Sequence, residues 1–121
     1  MSWQPHNGGL EVEYVGGLAV VRFLRRRIVT GEAVEALGEQ LLSLGEDAGH
    51  RQVVLNCGNV EPVSTALLGK LVALQRQLRL TGGGLALCDV RPELQAVLRA
   101  LRLRRCLNVR GSEEDALQSL P

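Results

Sequence analysis

The sequence predicts an α/β domain, a mixed β-sheet of about five strands with helices packed against it, in the order ββαβαβαβα. Three observations lead to it. Two β-rich runs separated by a Gly-Gly pair open the chain. Behind them, apolar stripes at helical spacing alternate with short runs that are apolar at nearly every position. Glycine, proline and small polar residues punctuate the boundaries between them.

Leu10, Val12 and Tyr14 alternate with Glu11 and Glu13, the period-2 pattern of a half-buried strand. Gly16-Gly17 reads as a turn and Leu18 to Leu24 as the returning strand of a hairpin. Thr30 is placed to cap a helix whose buried face is Val34, Leu37, Leu41 and Leu44. Gln52 to Cys57 suits a strand covered on both faces. Ser64 opens the central helix, with Leu67, Leu71, Leu74 and Leu78 as its stripe and Thr81-Gly82-Gly83-Gly84 as its terminator. Leu85 to Val90 is the next strand. Pro92 starts a third helix with Leu94, Val97, Leu98 and Leu101 on its apolar face. Cys106 to Val109 is a short last strand. Ser112 caps a final helix with Asp115 three residues on, and Ala116, Leu117 and Leu120 point inward. The opening hairpin is antiparallel, and the alternation that follows makes the rest of the sheet parallel. Residues 1–9 read as an N-terminal extension and 10–121 as the domain.

Composition narrows the function. A chain of 121 residues has the size of one domain, and 45% hydrophobic residues are enough for a core. Aromatics make up only 2%, so that core is built from Leu, Val and Ala, and stacking platforms for single-stranded nucleic acid are missing. A formal net charge of +1 does not indicate direct nucleic-acid binding. No basic start leads into an apolar run and no apolar stretch reaches membrane-spanning length, so a cytoplasmic protein with no membrane contact is expected. Arg25-Arg26-Arg27 and Arg99, Arg102, Arg104, Arg105 form two basic clusters, either solvated surface or attractors of phosphate or an acidic partner.

Catalytic machinery is not expected. Cys57, Cys88 and Cys106 are odd in number and widely spaced, which fits neither a disulfide framework nor a zinc site, and all three read as structural thiols. Gly82-Gly83-Gly84 lies between helix and strand, the reverse of a phosphate loop. Gly69-Lys70 is followed by Leu71 where a P-loop needs Ser or Thr. Glu61, Asp89 and Glu93 lie near strand ends without forming an acid–base pair. No metal, cofactor or catalytic residue is assigned. What remains is Glu61-Pro62-Val63-Ser64-Thr65, where two adjacent hydroxyls open a helix. Capping alone accounts for them, and a phosphate there would also be favoured by the free amides and the helix dipole.

With its surroundings, this segment resembles the STAS domain of bacterial anti-sigma-factor antagonists. The resemblance runs through Val53-Val54-Leu55-Asn56-Cys57, Val63-Ser64-Thr65-Ala66 and Leu68-Gly69-Lys70-Leu71. It continues through Gly83-Gly84, Leu85-Ala86-Leu87-Cys88, Arg91-Pro92, Leu101-Arg102-Leu103 and Ser112-Glu113-Glu114-Asp115-Ala116-Leu117. It covers about residues 10 to 120 and implies a STAS-like fold. In the family, a Ser or Thr after an Asp is phosphorylated by a partner that is both serine kinase and anti-sigma factor. Phosphorylation breaks the complex. Aligned on Leu68-Gly69, the acceptor falls at Thr65, the family's Asp at Ser64 and its Gly at Leu67. The implied phosphorylation sites are Thr65 and Ser64, and the implied partner surface is Asn59, Glu61, Val63, Ser64, Thr65, Leu68 and Lys70. Two other readings stand beside this one. One is a phosphorylation-independent interaction or scaffold domain, homodimeric in one form. The other is a small-ligand or nucleotide-binding STAS domain.

Overall fold

Strand order follows chain order, and this simple rule fixes where every helix lies. The computed structural model describes residues 2–6, 10–15, 18–23, 38–43, 52–58 and 65–120. Its five-stranded sheet runs β1 (Ser2–His6), β2 (Leu10–Val15), β3 (Leu18–Phe23), β4 (Gln52–Asn56) and β5 (Gly84–Cys88), side by side in that order. β1, β2 and β3 pair antiparallel, with Val15 opposite Leu18 across the expected hairpin. β4 and β5 add in parallel.

Between the strands lie a helical stretch at 38–43 (α1), α2 (Thr65–Leu80) and, after β5, α3 (Pro92–Ala100) and α4 (Glu113–Ser119). Each parallel connection steps in the same direction across the sheet. Right-handed crossovers therefore deliver their helices to one face. On that face Leu41 of α1, Leu67, Leu71, Leu74 and Leu78 of α2, and Leu94 and Leu98 of α3 pack on Ala19, Val21, Val53, Leu55, Leu85 and Leu87. The alternate residues Val20, Val54, Ala86 and Cys88 face the other way and are covered by Ala116 of α4. Those side chains are small, so α4 lies close to the strands. A Cβ on Gly84 would stand 3.3 Å from Leu120 Cδ2.

The α2 stripe and the capping of α4 follow the sequence: Ser112 Oγ accepts from Asp115 N at 3.2 Å. The glycine terminator is a Schellman cap. Gly82 has φ 83°, Gly83 N donates to Leu78 O (2.9 Å) and Gly82 N to Arg79 O (3.2 Å). α3 ends in the same way with Arg102 in the left-handed position at φ 57°.

Four expectations change. A strand at 2–6 appears, because its backbone completes the free edge of β2. The strand expected at 106–109 shrinks to one bridge, Leu87 with Val109. Turn bonds from Asn108 N to Arg105 O and Val109 N to Arg104 O, with Asn108 at φ 51°, curl the backbone before it reaches the sheet. Leu101 and Leu117 are exposed: Leu101 caps α3, and on the short α4 the inward line runs through Ala116 and Leu120, leaving Leu117 about 100° round the axis. Val34, Leu37 and Leu44 lie outside the described residues.

The outer edge of β5 is closed by a side chain. Buried Gln75 of α2 accepts from Leu85 N (2.9 Å) and donates to Leu85 O (3.3 Å) and Cys106 O (2.9 Å). Its amide stands in for the peptide group of a neighbouring strand and ties α2 to β5 and to the turn after α3. Gln75→Leu keeps the volume but strips the buried Leu85 N and O, and the part-buried Cys106 O, of their partner. Urea denaturation of this variant should show a loss of about 3 kcal/mol.

Candidate functional site

In this topology β4 and β5 end at one rim, and α2 and α3 begin there. Crevices at the carboxyl ends of parallel strands are where α/β folds place their sites. The chain leaves β4 and enters α2 at this rim. Asn59, Glu61, Val63 and Ser64 lie outside the described residues. Thr65 is the first residue of α2.

The chain on either side of 59–64 is firmly held. Gly58 N donates to Asn56 Oδ1 (2.9 Å), and Gly58 O accepts from Arg91 Nε (2.7 Å), which joins the end of β4 to the start of α3. A Cβ on Gly58 would approach Asn56 Oδ1 to 3.1 Å, so the position favours glycine. On the α2 side, Leu67 and Leu68 are buried at 1% and 2% exposure. Leu67, standing where the family motif has Gly, is a core residue. Leu68 is corrected from partner contact to anchor: its side chain belongs to the core cluster, because α2 turns that face to the sheet. Lys70 is half-buried, and its stem crosses α1 so closely that a Cβ on Gly38 would lie 2.6 Å from Lys70 Cγ.

Beneath the rim, on the α4 face, lies a polar network that the sequence reading missed. Arg22 donates Nε to Glu113 Oε2 (3.0 Å) and Nη2 to Oε1 (2.8 Å), a two-pronged ion pair between β3 and α4. Asn56 Nδ2 donates to Glu113 Oε2 (2.7 Å) and Asp89 Oδ2 (2.8 Å). Asp89 reaches it from a left-handed backbone at φ 53°. The signal in the sequence was a polar residue at or next to the end of each of these apolar runs, Arg22 in β3 and Asn56 in β4. Glu93 is exposed in the first turn of α3 and does not join this network.

Cys88, Asp89 and Glu113 offer ligand atoms within 4.8 Å of one another, a grouping hidden in the linear sequence. Asn56 and Arg22 already engage the two carboxylates, and burial, with Asp89 and Glu113 adding to it, pushes the Cys88 thiol from 9.0 to about 12. This set is built as a structural ion-pair network. Burial likewise pushes Cys57 to about 12. Cys106 departs from the expectation of an interior thiol: it is exposed, because its turn faces the carbonyl, not the side chain, toward Gln75.

The matches to known proteins agree with this geometry. Residues 12–116 match the STAS domain family. The chain belongs to that family. It is 33% identical over 89 residues to BtrV of Bordetella bronchiseptica, described as an anti-sigma factor antagonist, covering 71% of this chain and 77% of BtrV. The fold is that of an anti-sigma-factor antagonist (STAS) domain protein from Planctomyces limnophilus, with TM-score 0.78, 21% identity, and 92% and 96% of the two chains covered. It is also that of the Bacillus cell fate determinant SpoIIAA in its phosphorylated form, with TM-score 0.67, 16% identity, and 92% and 98% covered. Among the described residues no helix is long and apolar enough to cross a membrane.

Two measurements check the thiols. A thiol-reactive disulfide at pH 8 should label Cys106 in the folded protein and reach Cys57 and Cys88 only on unfolding. The unfolded thiols ionise from about pH 9 and the folded ones near pH 12. Their contribution is therefore whole below pH 9 and is lost as pH rises toward 12. Each thiol steepens the alkaline fall in stability by about 1.4 kcal/mol per pH unit, and C57A should flatten that slope.

Proposed function

We propose that this STAS domain is an anti-sigma-factor antagonist whose partner is an anti-sigma factor with serine-kinase activity, and that phosphorylation of Thr65 switches the complex off. The observation that carries this reading is a hydroxyl residue opening a 16-residue helix with no acidic residue in its first turn. No carboxylate in that first turn offsets the positive end of the helix dipole, so a phosphate of about −2 charge would be stabilised there. The same charge would oppose a partner seated on the rim. The relation to BtrV and the existence of a phosphorylated form of SpoIIAA, which shares the fold, support the reading. Ser64 serves as helix cap or as second acceptor. The docking surface is the segment 58–65 with the exposed side of α2 as far as Lys70.

A phosphorylation-independent scaffold role is the second reading. It is favoured by Ser64, which stands where the family motif carries Asp.

Incubation with a cognate serine-kinase anti-sigma factor, ATP and magnesium should add one phosphate, mapped to Thr65 by mass spectrometry. T65A should abolish it, while S64A leaves it in place. T65E should weaken binding to the same kinase at least tenfold. Absence of phosphate on both residues, with T65E binding as wild type, selects the scaffold reading.

A further inference from the structure

The far end of α2 has a different electrostatic character. Arg79 lies in its last turn, ~21 Å along the helix axis from Thr65. Beside it, two open clefts of about 310 and 450 Å³ meet along the outer edge of β5. Arg79 and Arg105 line the first, Arg104, Arg105 and Arg110 the second, and Asn108 borders both. Together they form one trough walled by four arginines.

The positive charge is segregated, not excess. The whole chain carries +1, yet residues 65–80 hold three cations and no acid, and residues 98–110 hold five arginines and no acid. Among the described residues the one ion pair is Arg22 with Glu113, so none of the four trough arginines is neutralised by a described carboxylate.

The trough is also pre-shaped. Arg104 and Arg105 sit in a turn closed by Asn108 N to Arg105 O and Val109 N to Arg104 O, and held from behind by Gln75 on Cys106 O. Arg110 is fixed twice: its N donates to Leu87 O (2.7 Å) and its Nε to Asn108 Oδ1 (2.8 Å). Asn108, left-handed at φ 51°, donates Nδ2 to Ser119 Oγ (3.0 Å). Arg110 has its guanidinium held, and Arg104 and Arg105 project from a fixed backbone, so a carboxylate meets a partly ordered set of two-pronged donors.

We propose that this trough is a second docking surface, for an acidic segment of a protein partner. Among the described residues no aromatic side chain lines either cleft, which removes the usual wall for a nucleotide base. Leu80, next to Arg79, is 88% exposed, an apolar contact that a polypeptide uses and a small inorganic anion does not. The surface is concave, and a flat lipid headgroup layer reaches its floor poorly. It works independently of Thr65.

The test is fluorescence anisotropy of the full chain with a fluorescein-labelled dodecapeptide of Glu, Asp and Leu. The peptide should bind in 50 mM salt, weaken at least tenfold in 200 mM salt and weaken at least tenfold in R79A/R105A. T65A and T65E should bind it as wild type does. Circular dichroism confirms that the double variant is folded. Peptide binding unchanged in R79A/R105A overturns the proposal. So does tripolyphosphate binding more tightly than the peptide, which marks a small-anion site. Arginine-dependent binding to phosphatidylglycerol vesicles without peptide binding assigns the trough to lipid. Arginine-dependent self-association by sedimentation assigns it to a second copy of the chain.

Discussion

The handedness of the β–helix–β crossover is the constraint on which the structure depends. Strands in chain order, each parallel step taken the same way, leave one face to α1, α2 and α3. Two consequences follow without further design. α2 and α3 both begin where β4 and β5 end, so one rim collects the start of each helix. The opposite face is left for the chain's last helix, which is only seven residues long. So short a helix covers the sheet only by close approach, and Val54, Ala86, Cys88 and Gly84 are the small residues that allow it.

That close approach explains the polar network. The ends of β3 and β4 on the α4 face are Arg22 and Asn56, and α4 begins above them with Glu113. A lone Arg or Asn at this depth would be costly. With Glu113 accepting from both and Asp89 from Asn56, the donors are paired and the strand ends are fixed to α4. The pair is partly solvated, so its value lies in geometry more than in stability. Asn56 carries that geometry upward: its Oδ1 holds Gly58, which Arg91 holds from the other side. The segment leading to Thr65 therefore leaves from a fixed platform at Gly58.

Much of the fold was legible because periodicity and burial agree in this chain. Leu67, Leu71, Leu74 and Leu78 occupy one helix face and all are buried, and the Val53–Leu55 and Leu85–Leu87 runs are covered on both sides as their composition implies. The misses share a cause. β1 contains Pro5 and polar residues with no alternation, and its strand state comes from the partner edge of β2, a long-range effect. Cys106 to Val109 has strand-like composition, but Gln75, thirty-one residues earlier, captures its first carbonyl and bends it into a turn. The rim network was equally hidden: Arg22 and Glu113 are separated by 91 positions, and only the folded sheet brings them together. Leu68 faces the core because the phase of α2, and not its place in the motif, decides which side chains are buried.

The two ends of α2 both attract anions, by different physics. At Thr65 the attraction comes from the positive end of the helix dipole, short in range and directional. At Arg79 it comes from full charges, longer in range and weakened by salt. The helix separating them is ~24 Å long, about three screening lengths at physiological ionic strength. A phosphate at one end is therefore scarcely felt as a field at the other. Coupling between the ends would have to pass through packing, along a helix held to the sheet by five buried leucines and to β5 by Gln75. Such a helix is poorly suited to transmit a shift. The structure thus favours a switch whose effect is confined to its own rim, leaving contacts made at the arginine end undisturbed.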